Sequence, residues 1–210
     1  MSRLIVLGGG GHGRVVADTA RRCGKWEHIL FLDDAPDRTR AEADFPVLGS
    51  CDDLAQSLRP GDECVVAIGD NAQRRSLLDR VDEQGAPLAV VVDPSAAISS
   101  DAVLGPGTVI LPQGAVNIGS VLGRGCIVNT GATVDHDCAL GDCVHVAPGA
   151  HLGGDVVVGD LSWIGIGSSI RHGTRVGARV MIGAGAAVVS DVATGTTVVG
   201  VPARPMDRRT

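Results

Sequence analysis

The sequence predicts an α/β domain with a mostly parallel, Rossmann-like sheet over residues 1–94, followed by a parallel β-helix of hexapeptide repeats over residues 95–210. Three observations predict it. Strand-like and helix-like segments alternate in the first half, large aliphatics recur every six residues in the second, and a run of glycines joins the first strand to the first helix.

In the first half, "RLIVLG" reads as a short buried strand and "GRVVADTARR" as an amphipathic helix closed by Cys23-Gly24. "HILFLDD" is a second strand and "DDLAQSLR" a second helix. "ECVVAIGD", "NAQRRSLLDRVDEQG" and "PLAVVVD" then read strand, helix, strand, with Pro94 as the stop. This alternation is that of βαβ units, which build parallel sheets.

The second half has a different period. Counting by six from Ile98 through Leu104, Ile110 and Val116 to Val188, all sixteen positions are Ile, Leu or Val. The position four further on in each hexad is small or β-branched, as at Ala102, Thr108, Gly114 and Ser120. Six residues make a short strand plus a corner, and three such units close a triangular coil with the large aliphatic inside. Sixteen units give about five coils, stacked at about 4.8 Å.

Composition excludes several partners. The net charge of -6, with no long Lys/Arg run, leaves no footprint for nucleic acid or an anionic membrane. No stretch approaches the roughly 20 apolar residues of a membrane span, so no membrane insertion is expected. The apolar run Leu4 to Leu7 is too short for a signal peptide. A soluble, cytoplasmic protein is expected. The six cysteines form no C-x-x-C pair and read as plain thiols. With no Tyr, two Phe and two Trp, the core is built from aliphatics in narrow, regular layers.

The run "GGGGHG" satisfies G-x-G-x-x-G through Gly8, Gly10 and Gly13, with Gly11 and His12 inside it, and Asp33 follows Gly13 by twenty residues. Backbone N–H groups at such a helix start receive phosphate, and an acid takes ribose hydroxyls. Barely ninety residues precede the hexads, which suits a nucleoside diphosphate better than a dinucleotide. "AIGDNAQR" ends the next strand over the same sheet edge, so Asp33, Asp34, Gly69, Asp70 and Asn71 are expected beside the glycine loop, as a ligand site or as a solvated loop cluster.

"VDHDCALGDCVH" holds His136 and His145 nine positions apart. Nine residues are half a circuit, so the two imidazoles lie on different sides of the prism and can meet only across a subunit boundary, as in a homotrimer around a threefold axis. Ile118 lies one coil below His136, Gly154 one coil above and His172 two coils above. A glycine there leaves room for a ligand and exposes a backbone N–H. His136 could instead be an ordinary corner residue, or a zinc ligand; His151 follows His145 by six and is not stacked on it, so no three-ligand set emerges and no metal is predicted.

Across essentially the whole chain, "GGGGHG", "FLDD", "AIGDN", "VNTGATVDHDC", "HVAPGAHLGG" and "GVPARP" resemble the PglD-type bacterial nucleotide-sugar N-acetyltransferases, within the wider group that includes NeuD-type sialic acid O-acetyltransferases. The resemblance implies a left-handed β-helix, a nucleotide-sugar held by the N-terminal domain (UDP favoured, on a 4-amino-4,6-dideoxy sugar) and acetyl-CoA bound between subunits of a trimer. It makes His136 the general base and Asp137, where the best-matched members carry Glu, its acidic neighbour; Asp135 is the other candidate to orient the imidazole. Asn129 and His145 match polar residues at the substrate and acetyl site, and Gly154 a backbone donor near the thioester. The rival readings are a NeuD-type sugar O-acetyltransferase, a zinc hydratase like the gamma-class carbonic anhydrases and a non-catalytic nucleotide-sugar sensor.

Overall fold

The computed structural model describes residues 2–35 and 45–206. Strands β1 (Arg3–Leu7), β2 (His28–Leu32), β3 (Val47–Gly49) and β4 (Glu63–Val66) form a parallel sheet in the order β3-β2-β1-β4. Every residue of β1 is buried, which is why its aliphatic run is unbroken. Alternation along it sorts the side chains. Leu4 and Val6 face Val16, Ala17 and Ala20 of α1 (Gly11–Cys23), whereas Ile5 and Leu7 face Leu77, Leu78 and Val81 of α3 (Asn71–Glu83). Gly24 ends α1 in the left-handed region at φ 67°. The expected second helix is a 3₁₀ turn, Cys51–Asp53, running into one turn of α-helix, α2 (Leu54–Ser57). The sequence reading missed β3, whose three residues are too few to show a period.

"PLAVVVD" departs from expectation. It is not the last strand of the N-terminal sheet: Leu88 makes a single bridge to Cys64, and β5 (Val91–Val92) pairs instead with Val109–Ile110 of the solenoid. Val92 already stands six residues before Ile98, so the hexad register begins ahead of Pro94 and the boundary expected there falls inside the first coil. The join is tied down by the buried Asp93 carboxylate, which meets Arg22 Nη2 at 2.8 Å and accepts from the Ser95 N–H and hydroxyl.

From Ala97 the chain winds through two-residue strands paired in parallel one coil apart, as Val121 with Ala139 and Ala139 with Val157. Three sheets of five, eight and six strands result. From Val109–Ile110 to Ala187–Val188 the second residue of each strand points inward, and these period-six aliphatics form one continuous buried core. The last coil breaks the count: Met181 pairs with Thr197, sixteen residues on, and Val198 then turns back in a short antiparallel pairing with Pro205.

Helix α3 fastens the domains together. Leu78, Arg74 and Asn71 lie on one helix face and meet successive coils along one solenoid corner, where Gly107, Gly125, Cys143 and Leu161 stack. A Cβ on Gly107 would stand 2.9 Å from Leu78 Cδ2. Arg74 reaches the carbonyls of Gly125 and Cys143, and Asn71 those of Leu161 and Ser162. The match is geometric, because a helix turn of about 5.4 Å nearly equals a coil rise of about 4.8 Å.

Candidate active site

The C-terminal ends of β1, β2 and β4 converge on one edge, as the sequence predicts. Gly8 sits at φ 102°, and Gly13 lies so close to the Gly8 carbonyl that no Cβ fits between them, which folds the loop tightly onto the start of α1. No side chain caps α1 at Gly10, and Cβ atoms on Gly10, Gly11 or Gly69 would meet nothing. This leaves an uncapped helix N-terminus facing open space, a phosphate-compatible arrangement.

The acids beside it are partly committed. Asp33 accepts from the Gly9 N–H and, at 2.6 Å, from the Ala35 N–H. Asp34 accepts from the Cys51 N–H at 2.7 Å, and Asp70 caps α3 through the Gln73 N–H at 2.8 Å. Asn71 is committed to the domain contact. Its amide donates to the carbonyls of Leu161 and Ser162 and accepts from Arg74, and it is 8% exposed, so it joins the domains instead of opening onto the loop. Sequence proximity to Asp70 suggested a ligand role, but the first turn of α3 rotates its side chain toward the solenoid.

His136 stands exposed at a corner after the strand Thr133–Val134. Its Nδ1 lies 2.9 Å from Oδ2 of Asp137, whose left-handed φ of 56° is the one that recurs every six residues at the solenoid corners, as at Gly131 and Cys143. Of the two neighbouring acids, Asp137 is the one whose carboxylate contacts the ring. Asp135 instead accepts from the His136 backbone N–H and from Asn117 Nδ2, both at 2.8 Å, and fixes the corner. The Asp137 hydrogen bond, then the Asp135 charge, raise the His136 pKa above its ordinary 6.5. Gly154 lies directly over the imidazole; a Cβ there would strike the ring. Its N–H has no acceptor among the described residues.

His145 opens a strand of a different sheet, on another side of the prism from His136, as half a circuit requires. It is not open to solvent. At 3% exposure it lies between the Trp163 ring, 4.0 Å away by centroids, and His12, 6.0 Å away. Asn129 Oδ1 accepts from the Thr130 N–H, which turns Nδ2 toward His145 Nε2 at 3.1 Å. With Nε2 accepting, the proton sits on Nδ1, which is turned toward the Gly69 backbone, whereas His12 Nε2 is unpartnered among the described residues. Burial, then the Arg74 charge, lower His145 to about 3 and His12 to about 4, so both are neutral at pH 7.

The structure thus brings His12 from the glycine loop to His145 and Asn129, and His136 to Asp137 and Gly154, as two separate clusters within one chain. Sequence reasoning missed Arg74 and Trp163. Arg74 had a signal: it falls on the apolar face of α3 with Leu77, Leu78 and Val81, where a cation must be answered by buried acceptors. Among the described residues no group of three or more His, Cys, Asp or Glu could hold a metal ion. No described helix is long and apolar enough to cross a membrane.

Comparison with known proteins agrees with this architecture. Residues 3–81 match the PglD N-terminal domain family, and residues 155–189 match the bacterial transferase hexapeptide (six repeats) family. A UDP-N-acetylbacillosamine N-acetyltransferase of Bacillus subtilis (strain 168) is 31% identical over 113 residues, covering 53% of this chain and 52% of that protein; the match thus spans about half the length of this curated relative. The acetyltransferase domain of PglB from Neisseria gonorrhoeae FA1090 superposes with a TM-score of 0.92 at 44% identity, covering 97% of this chain and 99% of that one; it has also been solved in complex with acetyl coenzyme A. PerB from Caulobacter crescentus, in complex with CoA and GDP-perosamine, superposes with a TM-score of 0.91 at 36% identity over 97% of each chain. A glycine-loop domain zipped onto a hexapeptide solenoid, matched over nearly its whole length at this identity, means that the chain belongs to the PglD/PglB-like family of hexapeptide-repeat acetyltransferases.

Proposed function

We propose that this protein transfers acetyl from acetyl-CoA to the amino group of a nucleotide-linked 4-amino-4,6-dideoxy sugar, directly and without an acyl-enzyme, with UDP as the favoured nucleotide. The reading is carried by the His136–Asp137 pair, an exposed imidazole oriented by a carboxylate at 2.9 Å beneath a glycine that leaves its face open. The likeness to the Bacillus UDP-N-acetylbacillosamine N-acetyltransferase supports an amino sugar on UDP, and the GDP-perosamine complex of PerB names GDP as the alternative base.

The sugar nucleotide would bind with its diphosphate at the Gly10–Gly11–His12 turn and its ribose toward Asp33 and Asp34, with Gly69 and Asp70 bounding the edge. In a trimer, His136 of one protomer would face Asn129 of its neighbour, whose amide is held by the buried His145 behind it, with acetyl-CoA between the protomers. The amine attacks the thioester carbonyl as His136 Nε2 takes its proton, and Asp137 steadies the imidazolium. The oxyanion is met by the Gly154 N–H, which has no acceptor among the described residues. Collapse expels CoA thiolate, which recovers the proton from His136. The test is CoA release by purified protein given acetyl-CoA with a UDP-, a GDP- or a CMP-linked amino sugar, and with free sialic acid. Turnover with the UDP amino sugar is expected; turnover confined to sialic acid would replace N- with O-acetylation.

A further inference from the structure

We propose that Arg74 is a positioning residue that holds the nucleotide-binding loop in register with the acetyl-site strand, so that the two substrates are presented to each other at reacting distance.

Arg74 is completely buried, with no carboxylate among its hydrogen-bond partners. Its guanidinium is instead satisfied by dipoles from both domains. Nη1 donates to the carbonyls of Ile68 and Gly69 at 2.9 and 3.0 Å, in the loop that ends β4 at the nucleotide edge. Nε donates to the Gly125 carbonyl and Nη2 to the Cys143 carbonyl, each at 2.8 Å. Cys143 is two residues before His145 on the same chain segment. Nη2 also reaches Asn71 Oδ1 at 2.7 Å, and the Asn71 amide carries the contact on to Leu161 and Ser162. One rigid planar group thereby ties the sheet edge that would hold the nucleotide to the solenoid segment that carries His145.

Only Arg has this fork of five donors fixed in one plane. A hydrophobic residue of the same size would seal the domain contact, but would leave four carbonyls without donors and the loop free to shift. A misplacement of about 1 Å between reactants can cost about 100-fold in rate. The same cation helps keep His12 and His145 neutral, consistent with both acting as hydrogen-bond donors or acceptors and not as acids.

The inference rests on the proposed acetyl transfer, and the experiment separates the two. Wild type and R74K are compared for kcat and KM, for the Kd of each substrate alone and for melting temperature and oligomeric mass. Lys keeps the charge but cannot span both carbonyl pairs. The expected result is a folded R74K of unchanged mass, with each Kd within about 3-fold of wild type and kcat lowered about 10- to 100-fold. If R74K does not fold, N71A, which removes Arg74's side-chain partner and the onward contact, is read for the same split. An unchanged kcat, or a fall in activity that only tracks the folded fraction, would overturn the positioning role. An inactive wild type would instead overturn the acetyl-transfer reading.

Discussion

His136 directs Nδ1 at Oδ2 of Asp137 across 2.9 Å, and Asp137 stands at a left-handed corner of the kind that recurs every six residues along the solenoid. The contact stabilises the imidazolium and leaves Nε2 as the nitrogen that can take a proton.

A base works only when neutral. Because Asp137 and Asp135 raise the His136 pKa, the acid limb of the wild-type kcat profile should have its midpoint above 6.5. In D137N the principal raising contact is lost, so the midpoint moves to lower pH while the plateau falls as the ring loses its orientation. H136A should lower kcat by about 10²–10⁴ and abolish the limb, with the circular dichroism of the solenoid unchanged. A D137N profile superimposable on wild type would mean that Asp137 does not govern the base.

Gly154 supplies clearance. In G154A the new methyl meets the His136 ring, which is exposed and can swing away, so the fold should survive while the ring leaves its working position. A loss of kcat of about 10-fold or more, with a melting temperature within a few degrees of wild type, is expected. Steady-state kinetics and calorimetry on one preparation check both.

Stability should depend on pH through the buried imidazoles. The folded pKa of His145 lies near 3 against 6.5 in the unfolded chain, so between those values the unfolded state binds the extra proton and folding weakens as pH falls. The stabilisation is fully present above about 6.5 and is lost progressively down to about 3, amounting to a few kcal/mol on the order of 1.4 per pKa unit. His12 adds to it in the same direction. Urea unfolding at pH 7.5 and 5.0 should show the drop in wild type, and a smaller one in H145Q.

Leu78 plugs the α3 side of the domain contact against Gly107 and Gly125 and is fully buried. L78A should cost about 2–5 kcal/mol, measured by chemical denaturation, because backbone glycines cannot collapse into the vacated volume.

Much of this molecule was legible in advance because regular packing imprints a period on the chain. Each inward position of the solenoid repeats the same environment, so Ile110, Val116 and Leu122 announce it in sequence, and Gly8, Gly13 and Asp33 announce the turn. "PLAVVVD" misled because a buried aliphatic strand reads alike whichever sheet it joins, and only pairing decides between Cys64 and Val109. The Gly154–His136 stack was readable because one coil is a fixed count of residues.

What the sequence determined alone was therefore everything set by local repetition: the two units, the glycine loop and the separation of His136 from His145 onto different sides. What only the tertiary structure decided was everything set by one element landing on another. His145 is buried because the N-terminal domain covers that side, Asn71 is turned from ligand to brace, and Arg74 becomes a shared anchor. The bracing contacts of Asn71 and Arg74 on the solenoid join residues 51 to 91 positions apart, for which local sequence carries no period and only the near match of helix pitch to coil rise supplies the register.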